Sequence, residues 1–169
     1  MLSKLVFWSF PLLALSAAFF DLFTMRIPNK LVLAMVACFI PAALLAGLPL
    51  DDLALRVGFA LGVLLLGFVL FYFGVMGGGD AKFAAAIALW LGTTVDVVTF
   101  LILMAFYGGG LTLVILGFRK VPYLPAPLRY EWLLRLHDKK TGVPYGITIA
   151  IAAVIVFQKS DWVMPFLLL

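Results

Sequence analysis

The sequence contains few charged residues. Acidic and basic residues together make up 12% of the 169 positions, whereas roughly 25% is usual in a soluble domain. Apolar residues account for 66%, and the mean hydropathy is +1.21. These values exclude an ordinary soluble protein and predict an integral membrane protein. The length leaves no room for a separate soluble domain, so we expect one membrane domain over residues 1–169.

Cysteine and histidine are nearly absent, with Cys38 and His137 as the only examples. One cysteine cannot form a disulfide within the chain, and these two residues cannot build a metal cluster. We therefore expect no disulfide framework and no thiolate metal cluster. The net charge is +4. We assign this charge to loops that face anionic lipid headgroups, and not to nucleic-acid binding.

Long apolar runs are abundant and predict an all-α bundle. A bilayer-spanning helix needs roughly 17–25 residues, and the first run shows no small-residue cleavage motif, so we interpret it as a helix and not as a signal peptide. The stretch 83–117 is long for one helix, and a turn at Thr93-Thr94-Val95-Asp96 would divide it into two. Asp51 and Asp52 are expected in another turn. The predicted helices span 5–23, 31–50, 56–76, 83–92, 97–117 and 143–158.

Basic residues favour six crossings with both termini outside. In that topology only Lys4, Arg56 and Lys159 lie outside, whereas a single helix over 83–117 would move the six basic residues of 118–142 outward, against the positive-inside rule. Loop 118–142 is then cytoplasmic and is expected to be amphipathic, because Leu128, Trp132, Leu133 and Leu136 recur at helical spacing. The inner basic residues are Arg26, Lys30, Lys82, Arg119, Lys120, Arg129, Arg135, Lys139 and Lys140.

Two aspartates border apolar runs. Asp21 ends the first run, and Asp80 follows three glycines, Gly77, Gly78 and Gly79. A carboxylate near hydrocarbon is costly and by default indicates a functional site. Because helices two and three cross outward and return, the topology predicts that Asp21 and Asp80 reach the same inner side.

A pair of carboxylates can hydrolyse an amide. One member, ionised, takes a proton from water, while the other, protonated, polarises the carbonyl. The glycines would let the backbone turn and a substrate strand approach. Three alternatives stay open: Asp80 caps a helix, Asp21 pairs with Arg26 at the membrane edge, or the two acids form the proton relay of a transporter subunit. The last would predict internal repeats, and the two halves show no convincing similarity.

Three motifs occur in order: Asp21 with Arg26-Ile27-Pro28-Asn29, then Gly77-Gly78-Gly79-Asp80-Ala81-Lys82-Phe83, then Val143-Pro144-Tyr145-Gly146-Ile147. Together they resemble the type IV prepilin peptidases, membrane aspartic proteases with a G-x-G-D motif, and especially the short form that serves Flp or tight-adherence pili. The resemblance covers nearly the whole chain. Presenilin-like and signal-peptide-peptidase enzymes share G-x-G-D, so another intramembrane protease is the alternative. Phe20 before Asp21, and the turn that follows, favour a site at the membrane interface.

The resemblance implies that Asp21 and Asp80 are catalytic. It implies removal of the short basic leader of a prepilin at the cytoplasmic face of the bacterial inner membrane, after a glycine that precedes the hydrophobic pilin helix. No cofactor is expected. Larger members carry a four-cysteine zinc loop where this chain has only residues 25–30, so we expect neither zinc nor methylation of the pilin N-terminus. The expected partners are the precursor, membrane lipids and a possible second copy.

The remaining motif residues receive supporting roles. Arg26 would orient Asp21 or contact phosphate, and Lys82 would stabilise ionised Asp80 or anchor its helix to headgroups. Gly58 and Gly62 are assigned to helix packing. In the other motifs, Pro28 would form a turn and Asn29 cap helix two, while Pro144 begins the last helix, Tyr145 is an interfacial anchor or a hydrogen-bond donor near the acids, and Gly146 allows close helix contact.

Overall fold

The computed structural model describes residues 2–92, 94–122, 125 and 130–167, and within these ranges the chain is helical, with no strands. The all-α prediction is confirmed. The helices are α1 (Leu2–Thr24), α2 (Asn29–Leu45), α3 (Leu50–Tyr72), α4 (Gly78–Leu91), α5 (Thr94–Phe118), α6 (Glu131–His137), α7 (Tyr145–Phe157) and α8 (Met164–Leu167).

Among the described residues, three helices are long and apolar enough to cross a membrane: Lys4–Thr24, Leu50–Tyr72 and Thr94–Phe118. Helices α2 and α7 are also apolar but shorter. The chain is therefore a helical protein with membrane-spanning candidates, while the predicted total of six crossings and the outward termini stay predictions.

Helix α4 forms the centre of the bundle. Its residues 83–91 are all buried, and it packs against α2, α3, α5 and α7. The stretch from Phe83 to Leu91 is apolar on every side, as expected for a helix in a protein core. The indole nitrogen of Trp90, near its end, donates a hydrogen bond to the Met35 carbonyl of α2 at 2.9 Å.

The turn between α2 and α3 differs from the prediction. Helix α2 ends at Leu45 and α3 begins at Leu50, so the expected range 31–50 is too long and 56–76 starts too late. Asp51 and Asp52 lie in the first turn of α3, where acids are stabilised by the helix dipole. The turn instead contains Gly47, whose φ is +62°.

The predicted division of 83–117 is confirmed, although the break comes slightly earlier. Helix α4 ends before Gly92, whose φ of +73° is left-handed. Helix α5 begins at Thr94, so Val95 and Asp96 are helical and not in a turn. Thr93 lies outside the described residues.

The regions beyond α5 agree only in part with the sequence analysis. The last predicted helix, 143–158, corresponds closely to α7. Of the amphipathic segment expected over 118–142, α6 is the helical part that the structure describes; Leu128 and Arg129 lie outside the described residues. The prediction that Gly58 and Gly62 pack against a neighbouring helix is wrong for the single chain, because a Cβ at either would meet nothing within 4 Å.

A buried arginine holds the end of the bundle where α3 begins. Arg56 is only 4% exposed, although its sequence position suggested an outer-loop cation. Its guanidinium donates to the Trp90 carbonyl at 2.8 Å and lies 4.3 Å from the ring centre of Trp162. These contacts join α3, the end of α4 and the C-terminal segment, which offsets the cost of burying the charge.

Candidate active site

Asp21 and Asp80 line the same cavity, of about 600 Å³. Asp21 comes from the end of α1 and Asp80 from the start of α4. The structure thus brings together the two acids that the topology predicted on one side. The other lining residues are Met25, Arg26, Ile27, Asn29, Gly74, Val75, Met76, Gly77, Gly78, Gly79, Lys82, Gly142, Val143 and Tyr145.

The Asp21 carboxylate is held by the start of α7. Asp21 is 5% exposed, and its Oδ2 accepts a hydrogen bond from the Gly146 backbone N–H at 2.7 Å. Helix N-termini present unpaired N–H groups and favour negative charge. A Cβ at Gly146 would lie 2.8 Å from both Cβ and Oδ2 of Asp21. The predicted close helix contact at Gly146 is therefore confirmed, and its partner is Asp21 itself.

The chain reverses directly after Asp21. Met25 has a φ of +54°, and its N–H donates to the Asp21 carbonyl at 2.8 Å. A left-handed residue after the last turn is a common helix ending, although a side chain there carries strain. The Arg135 guanidinium of α6 donates to the Phe23 carbonyl at 2.9 Å, so a cation satisfies the C-terminal end of α1.

Asp80 is held by the residue that precedes α4. Gly77 is the N-cap, so Asp80 is the third helical residue, and its carboxylate is hydrogen-bonded to the Gly77 backbone. This is the acidic half of a capping box. Asp80 therefore stabilises the helix start, as the capping alternative proposed, but from the first turn and not as the N-cap. A Cβ at Gly77 would lie 2.8 Å from Asp80 Oδ2.

The three glycines do not form one flexible loop. Gly78 and Gly79 are the first residues of α4, so the predicted backbone turn at these positions is wrong. A Cβ on either would make ordinary contacts, 3.5 Å from Phe71 and 3.6 Å from Ile27. The reversal is made earlier, at Gly74, whose φ is +70°.

The two carboxylates are near enough to repel each other electrostatically. Two like charges that lie close together are less stable than one. No cluster of three or more His, Cys, Asp or Glu side chains converges within the described ranges. The absence of a catalytic metal stays a prediction.

Two supporting assignments change. Asp21 and Arg26 form no ion pair in the part of the chain that the structure describes, so the alternative pairing of Asp21 is wrong. Asn29 does not cap α2. The N-cap of this helix is Pro28, and no side chain donates or accepts a capping hydrogen bond there. Instead Asn29 Oδ1 accepts a hydrogen bond from Lys82 Nζ at 3.4 Å. Lys82 thus connects the starts of α4 and α2 beside the cavity.

Tyr145 contacts α5. Its hydroxyl lies 3.1 Å from Thr112 Oγ1, which in turn donates to the Gly108 carbonyl at 2.8 Å. Its ring covers Gly108, where a Cβ would lie 2.7 Å from the ring carbon Cε1. Tyr145 therefore lines the cavity while its hydroxyl bonds to α5 and not to the carboxylates. Pro144 is the N-cap position of α7, which agrees with the predicted helix start.

The sequence analysis counted Arg119 only as an inner cation and missed its contacts with the segment before α7. Arg119 is 8% exposed, and its guanidinium donates to the carbonyls of Leu136 at 2.8 Å, Thr141 at 3.0 Å and Gly142 at 2.9 Å. Gly142 borders the cavity. Arg119 therefore fixes the segment that leads into Gly146. The sequence carries no signal that distinguishes it from exposed Lys120.

Apolar helices and a cavity with two carboxylates define a helical membrane protein with a candidate acid–base site. A sequence model of the type IV leader peptidase family matches residues 8–115, and the chain belongs to this family. The match confirms the resemblance and indicates a peptidase. It includes Asp21 and Asp80 but ends before Gly146. No curated protein and no solved structure gave a significant match.

Proposed function

We propose that this protein is a membrane aspartic endopeptidase that removes the short basic leader of Flp-like prepilins, with Asp21 and Asp80 as the catalytic pair. The observation that carries the proposal is the cavity shared by the two carboxylates. Membership of the type IV leader peptidase family supports peptide hydrolysis as the reaction.

The two acids would divide the chemistry. The ionised carboxylate takes a proton from water as the water oxygen attacks the scissile carbonyl carbon, while the protonated carboxyl group donates a hydrogen bond to the carbonyl oxygen. The tetrahedral intermediate then collapses. The amide nitrogen receives a proton, the C–N bond breaks, and a new carboxyl group and amine are released. Backbone hydrogen bonds from Gly146 and Gly77 hold the two side chains in place for these transfers.

We further propose that the cavity faces the cytoplasm of a bacterial inner membrane, and that α1 to α5 and α7 make six crossings. Nine basic residues on the inner side against three outside support this orientation. Helix α4 would be about 21 Å long at 1.5 Å per residue, shorter than the hydrocarbon layer of ~30 Å. Its residues 83–91 are buried among the other helices, so this part of the helix packs against protein and does not have to match the thickness of the hydrocarbon layer.

Leader removal in cells would test the proposal. The wild type, Asp21→Asn and Asp80→Asn are each co-expressed with a prepilin that has a short basic leader, and cleavage is followed by the change in precursor size. We expect both variants to lose cleavage, because asparagine keeps the shape of aspartate but cannot exchange the proton. Membrane insertion is expected to be unchanged.

Asp51→Asn is the matched control, since Asp51 is exposed and lies at the opposite end of α3 from the glycines. It should cleave like the wild type. Cleavage that persists in Asp21→Asn or Asp80→Asn would contradict the carboxylate pair. A wild type that leaves every precursor intact would favour the proton-relay alternative.

A further inference from the structure

A second, apolar cavity lies between α2 and α3. It has a volume of about 550 Å³, and we call it the α2–α3 groove. Both helices pack against α4, whereas their contact with each other is marginal at most. The groove is therefore a gap between two neighbouring helices, and α4 closes it from behind. Its lining residues are Asn29, Val32, Leu33 and Val36 of α2, Val57, Ala60, Leu61 and Leu64 of α3, and Lys82, Ala85, Ala86 and Leu89 of α4.

The groove is continuous with the carboxylate cavity. Asn29 and Lys82 line both spaces, and their side chains are hydrogen-bonded to each other at 3.4 Å. On one side of this pair lies the apolar α2–α3 groove, and on the other side lies the cavity that contains Asp21 and Asp80. A molecule that fills the groove as far as Asn29 and Lys82 therefore borders the cavity that contains the two acids.

We propose that the α2–α3 groove binds the apolar helix of the substrate that adjoins the scissile bond. This inference rests on the proposed function, since it assigns a binding surface to the same reaction. The occupant would place its apolar side chains against Leu33, Leu61 and Leu64 while its polar end enters the cavity across Asn29 and Lys82.

The surroundings of the groove explain why the occupant is a helix. Its sides are formed by apolar segments, and within a bilayer a peptide bound there must satisfy its backbone hydrogen bonds internally. Ala85 and Ala86 form the back of the groove, and small residues let two helix backbones approach closely. From Lys82 to Leu89 the groove follows α4 for about two helical turns.

Asn29 and Lys82 lie where the bound helix would have to end. Proteolysis needs an extended scissile bond, so the peptide must leave its helical conformation near the acids. The end of a helix exposes unpaired N–H or C=O groups. The Asn29 amide offers an acceptor and a donor, and the exposed Lys82 ammonium offers further donors. These two side chains can exchange their mutual hydrogen bond for bonds to the substrate backbone.

A matched pair of tryptophan variants on α3 would test this inference. Leu61 lies in the groove and is 60% exposed, while Leu65, one turn further along, lies outside it and is 68% exposed. Leu61→Trp and Leu65→Trp are reconstituted in phospholipid vesicles. Two probes are used: a precursor with a basic leader and one apolar helix, and a peptide with the same leader and scissile bond but no apolar helix.

We expect Leu61→Trp to raise KM for the precursor by about tenfold or more, with kcat retained, because the larger ring fills the groove and weakens binding without touching the acids. The peptide lacks the helix, so its cleavage should be unchanged. Leu65→Trp should match the wild type with both probes. Equal KM values of the two variants for the precursor would overturn the inference. The groove would then be a surface covered by lipid chains.

Crosslinking separates this inference from the proposed function. In a Cys38→Ala background and with an added thiol oxidant, Leu61→Cys is expected to form a disulfide with a cysteine in the precursor's apolar helix, and Leu65→Cys is not. Crosslinking from both positions, or from neither, would contradict binding of the substrate helix in the α2–α3 groove. Loss of all cleavage by the wild type would overturn the proposed function alone, because the crosslinks report binding without catalysis.

Discussion

At the scale of single residues, glycines decide where the two carboxylates lie. Gly146 and Gly77 each give a backbone hydrogen bond to an aspartate, and each has no space for a Cβ on the side of that aspartate. The acids are thus positioned by the main chain and not by other charged side chains. A main-chain donor moves only with its helix, so this arrangement holds each carboxylate firmly.

Gly146→Ala is expected to lower the rate of leader cleavage by about 100-fold or more, since a displacement of roughly 1 Å can cost that much in a positioned site. The added Cβ would push Asp21 away from the Gly146 N–H. The measurement is kcat on a prepilin precursor. Gly109→Ala is the control, because its Cβ would point into open space on α5; an equal loss in both variants would contradict the steric explanation.

The position of the acids could be foreseen, whereas their hydrogen-bond partners could not. Asp21 and Asp80 stand out because a carboxylate beside an apolar run is costly, and counting crossings assigned them to one side. The contact between Gly146 and Asp21 joins residues 125 positions apart. Nothing in a single sequence indicates which helix start meets which acid, because that depends on how the helices pack.

At the scale of elements, two arginines hold the described residues 131–142, which lie between α5 and α7. Arg119 binds the carbonyls of the segment that precedes α7, and Arg135 binds the end of α1. Arg119 follows the end of an apolar helix, as the apolar run predicted. Charge counting assigned it to the inner side. It could not distinguish a buried cation from an exposed one, since both serve the positive-inside rule equally.

Arg119→Ala is expected to lower the free energy of unfolding by about 2–4 kcal/mol, because buried carbonyls lose charged hydrogen-bond donors. Residues 136–142 should become more sensitive to limited proteolysis. Thermal unfolding in detergent would measure the first effect. Lys120→Ala removes the neighbouring exposed cation and should leave both properties unchanged; similar losses in the two variants would show that charge alone matters.

At the scale of the whole molecule, the two ends of the bundle differ in kind. One end holds the carboxylate cavity, and the other is closed by Arg56 between Trp90 and Trp162. Ser160 also donates a hydrogen bond to Asp96 at 2.9 Å, which joins the C-terminal segment to the start of α5. The tightly closed end fixes the positions of α3, α4 and α5, whose lengths extend to the reactive end.

Gly92→Ala tests the closed end. It is expected to cost at least about 2 kcal/mol of stability, because the new Cβ would overlap the Arg56 guanidinium and the φ is left-handed. Gly47→Ala shares the left-handed φ but meets open space, so it should cost only about 1 kcal/mol. Equal shifts of Tm for the two variants would contradict the role of Arg56.

The junction of the two cavities at Asn29 and Lys82 has a consequence for inhibition. A compound that mimics the tetrahedral intermediate would occupy only the carboxylate cavity. An apolar tail that extends this compound across Asn29 and Lys82 would let one molecule occupy both the carboxylate cavity and the α2–α3 groove. The second contact then forms at a high effective concentration, and the tail would confer selectivity over soluble aspartic proteases, which have no lipid-facing groove.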